Sequence, residues 1–357
     1  MTDVHQIVVG AGTADAITTE ALALREELRR SGRSEIFAIH RDPEVPGIFP
    51  LDAYPVVRAS SPATLLFHVS IGEPAMARFL AGNSDPMVLR YHNITPSEFF
   101  EPYDPGFAGL LSGGRDELAG LRVRSRRAIA VSEFNAAELR NLGFPDVTVS
   151  PLVMNLDGLL ATEPASSDHY PLPAPGEGAM ILFVGRLAPN KNQHLLIQAF
   201  HVLKTYLDHD AHLFLVGGRP IPGYQGAVDR YARELALPQA AYTDMVTQAE
   251  LSALYRRADV FVTLSAHEGF CAPLVEAMAF GVPVVAWGTS AIPETAGDAA
   301  LLLDEPGPEL VAEAVHAVLA DAELRSALSK RGHARAAELR AALTAPRLVR
   351  QVLEVAG

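Results

Sequence analysis

Short runs of apolar and β-branched residues alternate with longer stretches of helical period along this chain. The runs are bounded by turn residues and are too brief for helices, so they read as strands, and the periodic stretches read as crossover helices. In the first half the strand runs are Gln6–Val9, Ile36–Ile39, Thr64–His68, Met87–Tyr91, Arg127–Val131 and Val147–Val149. Ala16–Arg30 is the clearest helix there, with a polar face of Glu20, Glu26, Glu27, Arg29 and Arg30, and Gly109–Arg122 is another. A second series follows, with strands at Met180–Val184, His212–Val216, Ala240–Tyr242, Val260–Leu264, Val282–Ala286 and Ala300–Leu302. Its helices are His194–Tyr206, Ala249–Arg257 with Thr247 and Glu250 as a capping box, Pro273–Phe280, and a helical tail from Pro308 to about Val355. This alternation predicts an α/β protein with two Rossmann-like domains, whose parallel sheets face a deep interdomain cleft.

The texture changes between Leu160 and Gly178, where Pro, Ser and Gly crowd together without period. The expected division is therefore a first domain over 1–160, a connection over 161–178 and a second domain over 179–342. A last helix at about 343–357 is expected to pack back on the first domain. The length of 357 residues and 49% hydrophobic content allow a large core without crosslinks. A single cysteine, Cys271, rules out an intrachain disulfide and fits a reducing compartment. The net charge of −13 argues against nucleic acid as a partner and against strong adhesion to anionic membranes. MTDVHQIVVG has no signal-peptide pattern, and no apolar run is long enough to span a bilayer. A cytoplasmic protein, monomeric or homodimeric, is expected. Arg115, Arg122, Arg124, Arg126 and Arg127 form a local basic cluster, read as a solvated face or as a weak peripheral contact with a lipid or phosphorylated acceptor.

Candidate chemistry collects at strand ends of the second half. Gly185-Arg186-Leu187-Ala188-Pro189-Asn190-Lys191-Asn192 follows a strand directly. Its glycine admits close backbone approach, and two cations five residues apart suit a diphosphate, the arginine as a fork and the lysine as a point charge. The alternative is a solvated loop. Yet lysine occurs only three times in the chain, and a cation at a helix start opposes the dipole. Glu268-Gly269-Phe270-Cys271-Ala272-Pro273-Leu274-Val275-Glu276 follows the strand Val260–Leu264. Pro273 suits a first helical turn, and the amides there suit phosphate or sugar oxygens. The two carboxylates suit sugar and ribose hydroxyls, or else they only complement the dipole and decorate a loop. Gly217-Gly218-Arg219-Pro220 reads as a plain turn in which Gly217 permits close approach.

Gly185-Arg186 with Lys191, followed by Glu268 and Glu276, resembles the family-4 retaining glycosyltransferases, glycosyl transferases group 1, whose fold is GT-B. The resemblance covers most of the chain and is strongest from Ile181 to Pro283. It implies that Arg186 and Lys191 hold the donor diphosphate, that Glu268 bonds the transferred sugar and that Glu276 binds ribose. Gly185, Gly217, Gly269, Phe270, Cys271, Ala272 and Leu274 would line the donor, and Met245 and Val246 would meet the base. Cys271 stands where many members have glycine. In the first half, His92 matches the histidine that touches the donor sugar. His68 is a weaker acceptor-side candidate. The loop of Gly10, Ala11, Gly12, Thr13, Ala14 and Asp15 places Gly12 and Asp15 over the donor phosphate, although Asp15 also reads as a helix cap.

The implied reaction is transfer of a hexosyl group, with retention, from a nucleotide sugar to an acceptor hydroxyl. The nucleotide is expected to be UDP. No cofactor and no metal are expected, since neither Asp-x-Asp nor metal-ligand spacing occurs. A small soluble acceptor is favoured over a lipid-linked one. The competing readings are a sugar-nucleotide 2-epimerase, a dinucleotide oxidoreductase using the Gly10–Asp15 loop, and a non-catalytic binding subunit.

Overall fold

Ala63–Val69 is buried at all seven positions and Met87–Tyr91 at all five. Continuous apolar strands of this kind are stable only in a sheet covered on both faces. The computed structural model describes residues 3–13, 15–58, 63–166, 171–174, 176–218, 221–237 and 240–356. Two compact units result. The first holds the chain up to Glu101, Pro105–Met154 and the stretch from Ala341, and the second holds Pro102–Asp104 and Asn155–Arg340.

The first unit carries β1 (Asp3–Ala11), β2 (Ile36–Arg41), β3 (Ile48–Pro50), β4 (Ala63–Val69), β5 (Met87–Tyr91), β6 (Ser125–Ala130) and β7 (Val147–Val149). They form one parallel sheet in the order β3-β2-β1-β4-β5-β6-β7. The second unit carries β8 (Met180–Val184), β9 (His212–Val216), β10 (Ala240–Thr243), β11 (Val260–Thr263), β12 (Val284–Trp287) and β13 (Ala300–Leu303), parallel in the order β10-β9-β8-β11-β12-β13. Both sheets are doubly wound. The winding reverses between β1 and β4, and again between β8 and β11, which leaves a crevice beyond the carboxyl ends of those strands.

Every expected strand is present within three residues at each end. The addition is β3, a three-residue edge strand ending in Pro50, too short to show a period and tolerated there because an edge strand can spare an N–H. The strand expected from Val282 starts at Val284 instead. Val282 and Gly281 close the preceding helix, donating to the carbonyls of Ala277 and Met278 in a Schellman motif. Gly281 has φ +74°, and a Cβ there would meet His333 at 2.4 Å. The helical tail breaks into Pro308–Ala320, Ala322–Arg340 and Ala345–Ala356. The Asp321 carboxylate caps the second of these through the amides of Glu323 and Leu324. Thr247 and Glu250 form the expected capping box on Gln248–Arg257. Arg219, Pro220 and Ala14 lie outside the described residues, as do parts of the proline-rich connection.

One face of the first sheet is covered by the helices Ala16–Leu28 and Ala345–Ala356. Leu24, Leu28, Leu348, Val349, Val352 and Ala356 pack there with Val4, Leu66, Val88 and Ile129. Glu20 lies on the same helical face as Leu24 and Leu28, and it too is buried, which corrects its assignment to a solvent face. Its partner is Arg90 on β5, also fully buried, through Nη2 to Oε1 at 2.7 Å and Nε to Oε2 at 3.1 Å. Arg90 also donates to the carbonyls of Ala130, Ser150 and Pro151, and the Val153 amide donates to Glu20. Removing one member of such a pair leaves the other charged in the interior. Glu20→Ala is expected to lower unfolding stability by about 3–5 kcal/mol in a urea titration. A loss below about 1 kcal/mol would show that the pair does not hold the unit together.

Candidate functional site

Two loops meet at the crevice of the second sheet. The loop after β8 runs from Gly185 to Asn192, and the loop after β11 runs from Leu264 to Cys271. Asn190 and Asn192 tie them together. Asn190 donates from Nδ2 to the His267 carbonyl at 3.1 Å and accepts from the Ala266 amide, while Asn192 donates to the Leu264 carbonyl at 2.9 Å. Lys191, between them, is turned onto Glu268, with Nζ 2.5 Å from Oε1. Both side chains are half-buried, at 21% and 12% exposure, so the pair sits at the rim and remains within reach of a ligand. The Glu268 amide donates to Ser290 Oγ at 2.9 Å, which fixes the backbone of that carboxylate.

Gly185 and Gly217 close the other side of the crevice. A Cβ on Gly217 would lie 2.4 Å from the Gly185 carbonyl oxygen, so the two strand ends approach as only glycine permits. Beside them is a cavity of about 160 Å³ lined by Phe183, Leu187, Gln193, Leu215, Thr243 and Asp244, among others. Met245 is half exposed over Gly218, and its amide donates to Asp244 Oδ1. Arg186 is half-buried at the start of the loop, its carbonyl accepting from Gln193.

The helix Ala272–Ala279 begins directly after Cys271. Cys271 has φ 68° and ψ 66°, a left-handed conformation that costs a non-glycine residue roughly 1–2 kcal/mol. It is buried, and burial raises its thiol pKa, with the Glu268 carboxylate acting in the same direction. The thiol therefore stays protonated and is no nucleophile. Thr295 donates to the Phe270 carbonyl at 2.7 Å and pins the turn. Burial also raises the Glu276 carboxyl pKa, opposed by the Tyr255 hydroxyl, which donates to Oε2 at 2.8 Å. Tyr255 is itself held by stacking on Phe280.

The first unit places its candidates along its own carboxyl edge. Asp15 caps the helix Ala16–Leu28, accepting from the Thr18 amide at 2.8 Å and the Thr18 hydroxyl at 2.6 Å. The Gly12 amide donates to that same hydroxyl at 3.0 Å. His92 follows β5, and His68 lies within β4 with its side chain fully sealed. An acceptor-side contact for His68 is therefore corrected: among the described residues its ring nitrogens meet His92, Gln6 and the Glu20 carboxylate. The basic cluster is part-buried at Arg115, Arg124 and Arg127 and exposed at Arg122 and Arg126, and four of its members bond within the unit. Arg115 bonds Glu138 and the Ile94 carbonyl, Arg124 the carbonyls of Leu80 and Asn83, Arg126 that of Val355, and Arg127 bonds Asp146 and Glu354.

The residues that hold the site, Asn190, Asn192, Tyr255, Ser290 and Thr295, were not singled out from sequence. The only local signal was the asparagine on each side of Lys191. The others come from distant elements and carry no motif.

Residues 166–335 match the family described as glycosyl transferases group 1. O-antigen chain mannosyltransferase B of Escherichia coli is 29% identical over 226 residues, covering 58% of this chain and 55% of its own length. A D-inositol 3-phosphate glycosyltransferase of Corynebacterium urealyticum is 32% identical over 181 residues, 49% of this chain and 43% of the relative. A GDP-mannose-dependent alpha-mannosyltransferase of Mycolicibacterium smegmatis is 38% identical over 113 residues, 32% of this chain and 26% of the relative. The chain thus spans about half or less of the length of these curated relatives. Among solved structures, sucrose-phosphate synthase from Thermosynechococcus elongatus superposes with a TM-score of 0.78 at 19% identity, over 99% of this chain and 100% of that one. WaaG, a glycosyltransferase involved in lipopolysaccharide biosynthesis, superposes at 0.71 with 14% identity over 97% and 98%. The fold is GT-B.

The strain at Cys271 is testable by denaturation. Cys271→Gly is expected to stay within about 1 kcal/mol of the natural chain, as relief of the left-handed strain offsets the lost burial. Cys271→Val, branched at Cβ, is expected to cost at least about 2 kcal/mol. Equal stability of the two variants would contradict the backbone assignment.

Proposed function

We propose that this protein is a retaining glycosyltransferase that moves a hexosyl group from a nucleoside-diphosphate sugar to an acceptor hydroxyl. The observation that carries the reading is the Lys191–Glu268 pair at the winding reversal of the second sheet, beside a helix start that bears Glu276. On donor binding, Lys191 exchanges the carboxylate for phosphate oxygens, which frees Glu268 to accept from sugar hydroxyls. Arg186, Lys191 and the amides of Gly269 to Leu274 then stabilise charge on the leaving diphosphate. Glu276, oriented by Tyr255, accepts from ribose hydroxyls. The base lies against Thr243–Val246 and the adjoining cavity. Gly12 and His92 are assigned to the same reaction on the family resemblance, each at the carboxyl edge of the first unit's own sheet.

The bond from the anomeric carbon to the diphosphate oxygen breaks, and a bond from that carbon to the acceptor oxygen forms on the same face. The acceptor's proton passes to the leaving phosphate, so neither a protein nucleophile nor a dissociable cofactor takes part. Uridine is the base assigned first. Guanosine competes, because relatives such as the mannosyltransferase of Mycolicibacterium smegmatis are named for GDP-mannose. A small soluble hydroxyl compound is the acceptor assigned. The O-antigen name of one relative keeps a saccharide chain acceptor as the alternative.

A thermal-shift screen with UDP-, GDP-, ADP- and dTDP-sugars tests the donor. The correct nucleotide at a hundred times its dissociation constant should add about 2.7 kcal/mol of stability. No shift with any of them would defeat the reading. Once a donor is known, Lys191→Ala is expected to lower kcat/KM at least about a hundredfold with the fold intact. Near-normal turnover would remove Lys191 from the site.

A further inference from the structure

A chain of buried hydrogen bonds ends at His92. The Gln6 amide nitrogen donates to the Ala21 carbonyl at 2.9 Å, which turns its oxygen toward His68. That oxygen lies 3.0 Å from His68 Nε2, so Nε2 carries the hydrogen. His68 Nδ1 lies 2.9 Å from His92 Nε2, and Glu20 Oε2 lies 3.2 Å from the same His92 nitrogen. Burial pushes the His68 pKa down to about 3 and holds the His92 pKa well below the usual histidine range, so both rings are neutral. A neutral His68 with hydrogen on Nε2 has only a lone pair on Nδ1. His92 must then donate from Nε2 to His68, and the Glu20 carboxylate lies 3.2 Å to the side of that same nitrogen. Its remaining nitrogen, Nδ1, is left with a lone pair and makes no hydrogen bond among the described residues.

The three ligand-type atoms of Glu20, His68 and His92 lie within 4.8 Å of one another, which invites a metal reading. The ring geometry opposes it. The imidazole centroids are 5.2 Å apart with 15° between their planes, the separation of two near-coplanar rings meeting edge to edge through one straight N–H···N bond. The two lone-pair axes point at each other and not at a common third point. Both Glu20 oxygens also already face the Arg90 guanidinium, which would repel a cation.

We propose that Gln6, His68 and Glu20 are positioning residues that hold His92 in one tautomer, with hydrogen on Nε2, so that Nδ1 only accepts a hydrogen bond from a ligand hydroxyl at the carboxyl edge of the first sheet. Arg90 completes the device by keeping Glu20 in place. The arrangement selects a hydroxyl over a phosphate or carboxylate oxygen, since an anion has no hydrogen to give. It makes His92 a specificity element for the sugar and not a clamp for the diphosphate. This last statement rests on the proposed function, whereas the tautomer does not.

Two-bond proton–nitrogen correlation spectra of the full chain, with its twelve histidines labelled with 15N and His92 assigned by loss of its signal in His92→Gln, read the tautomer directly. The expected pattern at neutral pH is a protonated Nε2 and a bare Nδ1 on His92, with no ligand added. A protonated Nδ1 or an averaged pair of shifts would overturn the proposal. In Gln6→Met the Nδ1–H form of His92 is expected to appear, and an unchanged spectrum would take Gln6 and His68 out of the device. Should that variant not fold, the pattern in the natural chain still decides. For function, the nucleotide sugar that stabilises the chain is compared with analogues carrying fluorine in place of one sugar hydroxyl. At one position the natural chain should bind the analogue about three- to tenfold more weakly, and His92→Phe should bind both alike. Equal binding at every position by the natural chain would refute the acceptor role. If no nucleotide sugar binds at all, the proposed function falls while the spectrum still decides the tautomer.

Discussion

A glutamate and an arginine that are both sealed from water organise the first unit. Neither tolerates the interior alone, and each is satisfied by more than its partner. Arg90 reaches the carbonyls of Ala130 at the end of β6 and of Ser150 and Pro151 after β7. Glu20 accepts from the Val153 amide and lies 3.2 Å from His92 Nε2. The helix Ala16–Leu28, strand β5, the chain leaving β7 and the histidine at the carboxyl edge are thereby fixed by one pair of charges. The geometry of that edge is inherited from the interior.

The second unit uses the same chemistry in a wetter setting. Lys191 and Glu268 also pair, but at the rim, where solvent screens them and a ligand can replace either partner. What is held rigid there is the backbone beneath them, through Asn190, Asn192, Ser290 and Thr295. Such an arrangement suits a site that must exchange an internal counter-ion for a bound anion while keeping its loops in place. The two units therefore divide the work. One buries its charges fully, and the other keeps a part-buried pair on a fixed frame.

Much of the site was legible because its chemistry lies within short stretches. The loop after β8 and the helix start after β11 each carry their charges in a few residues, and strand ends in a parallel sheet fall on one edge. Glu20 was misread, although its signal was present. It stands four and eight residues before Leu24 and Leu28, so helical period places it on their face, and its charge alone suggested solvent. His68 was read as a contact residue for a similar reason, since a histidine in an apolar strand does not show whether its partners are internal. The arginine cluster does lie at the surface, as its charge suggested, with Arg122 and Arg126 exposed. Four of the five are nonetheless spent on carbonyls and acids of the same unit.

By itself the sequence determined the succession of strands and helices, because period and turn residues are local properties. It also marked the two loops that meet at the crevice of the second sheet, because their glycine, lysine and glutamate are spaced along single stretches. The tertiary structure alone decided which charges meet. Glu20 and Arg90 are 70 residues apart, Lys191 and Glu268 are 77, and Tyr255 reaches Glu276 from another helix. It also decided that Cys271 adopts a left-handed turn and that His92 presents a lone pair. Those outcomes depend on where a proton or a backbone angle costs least once its neighbours are in place, and no neighbour in sequence carries that information.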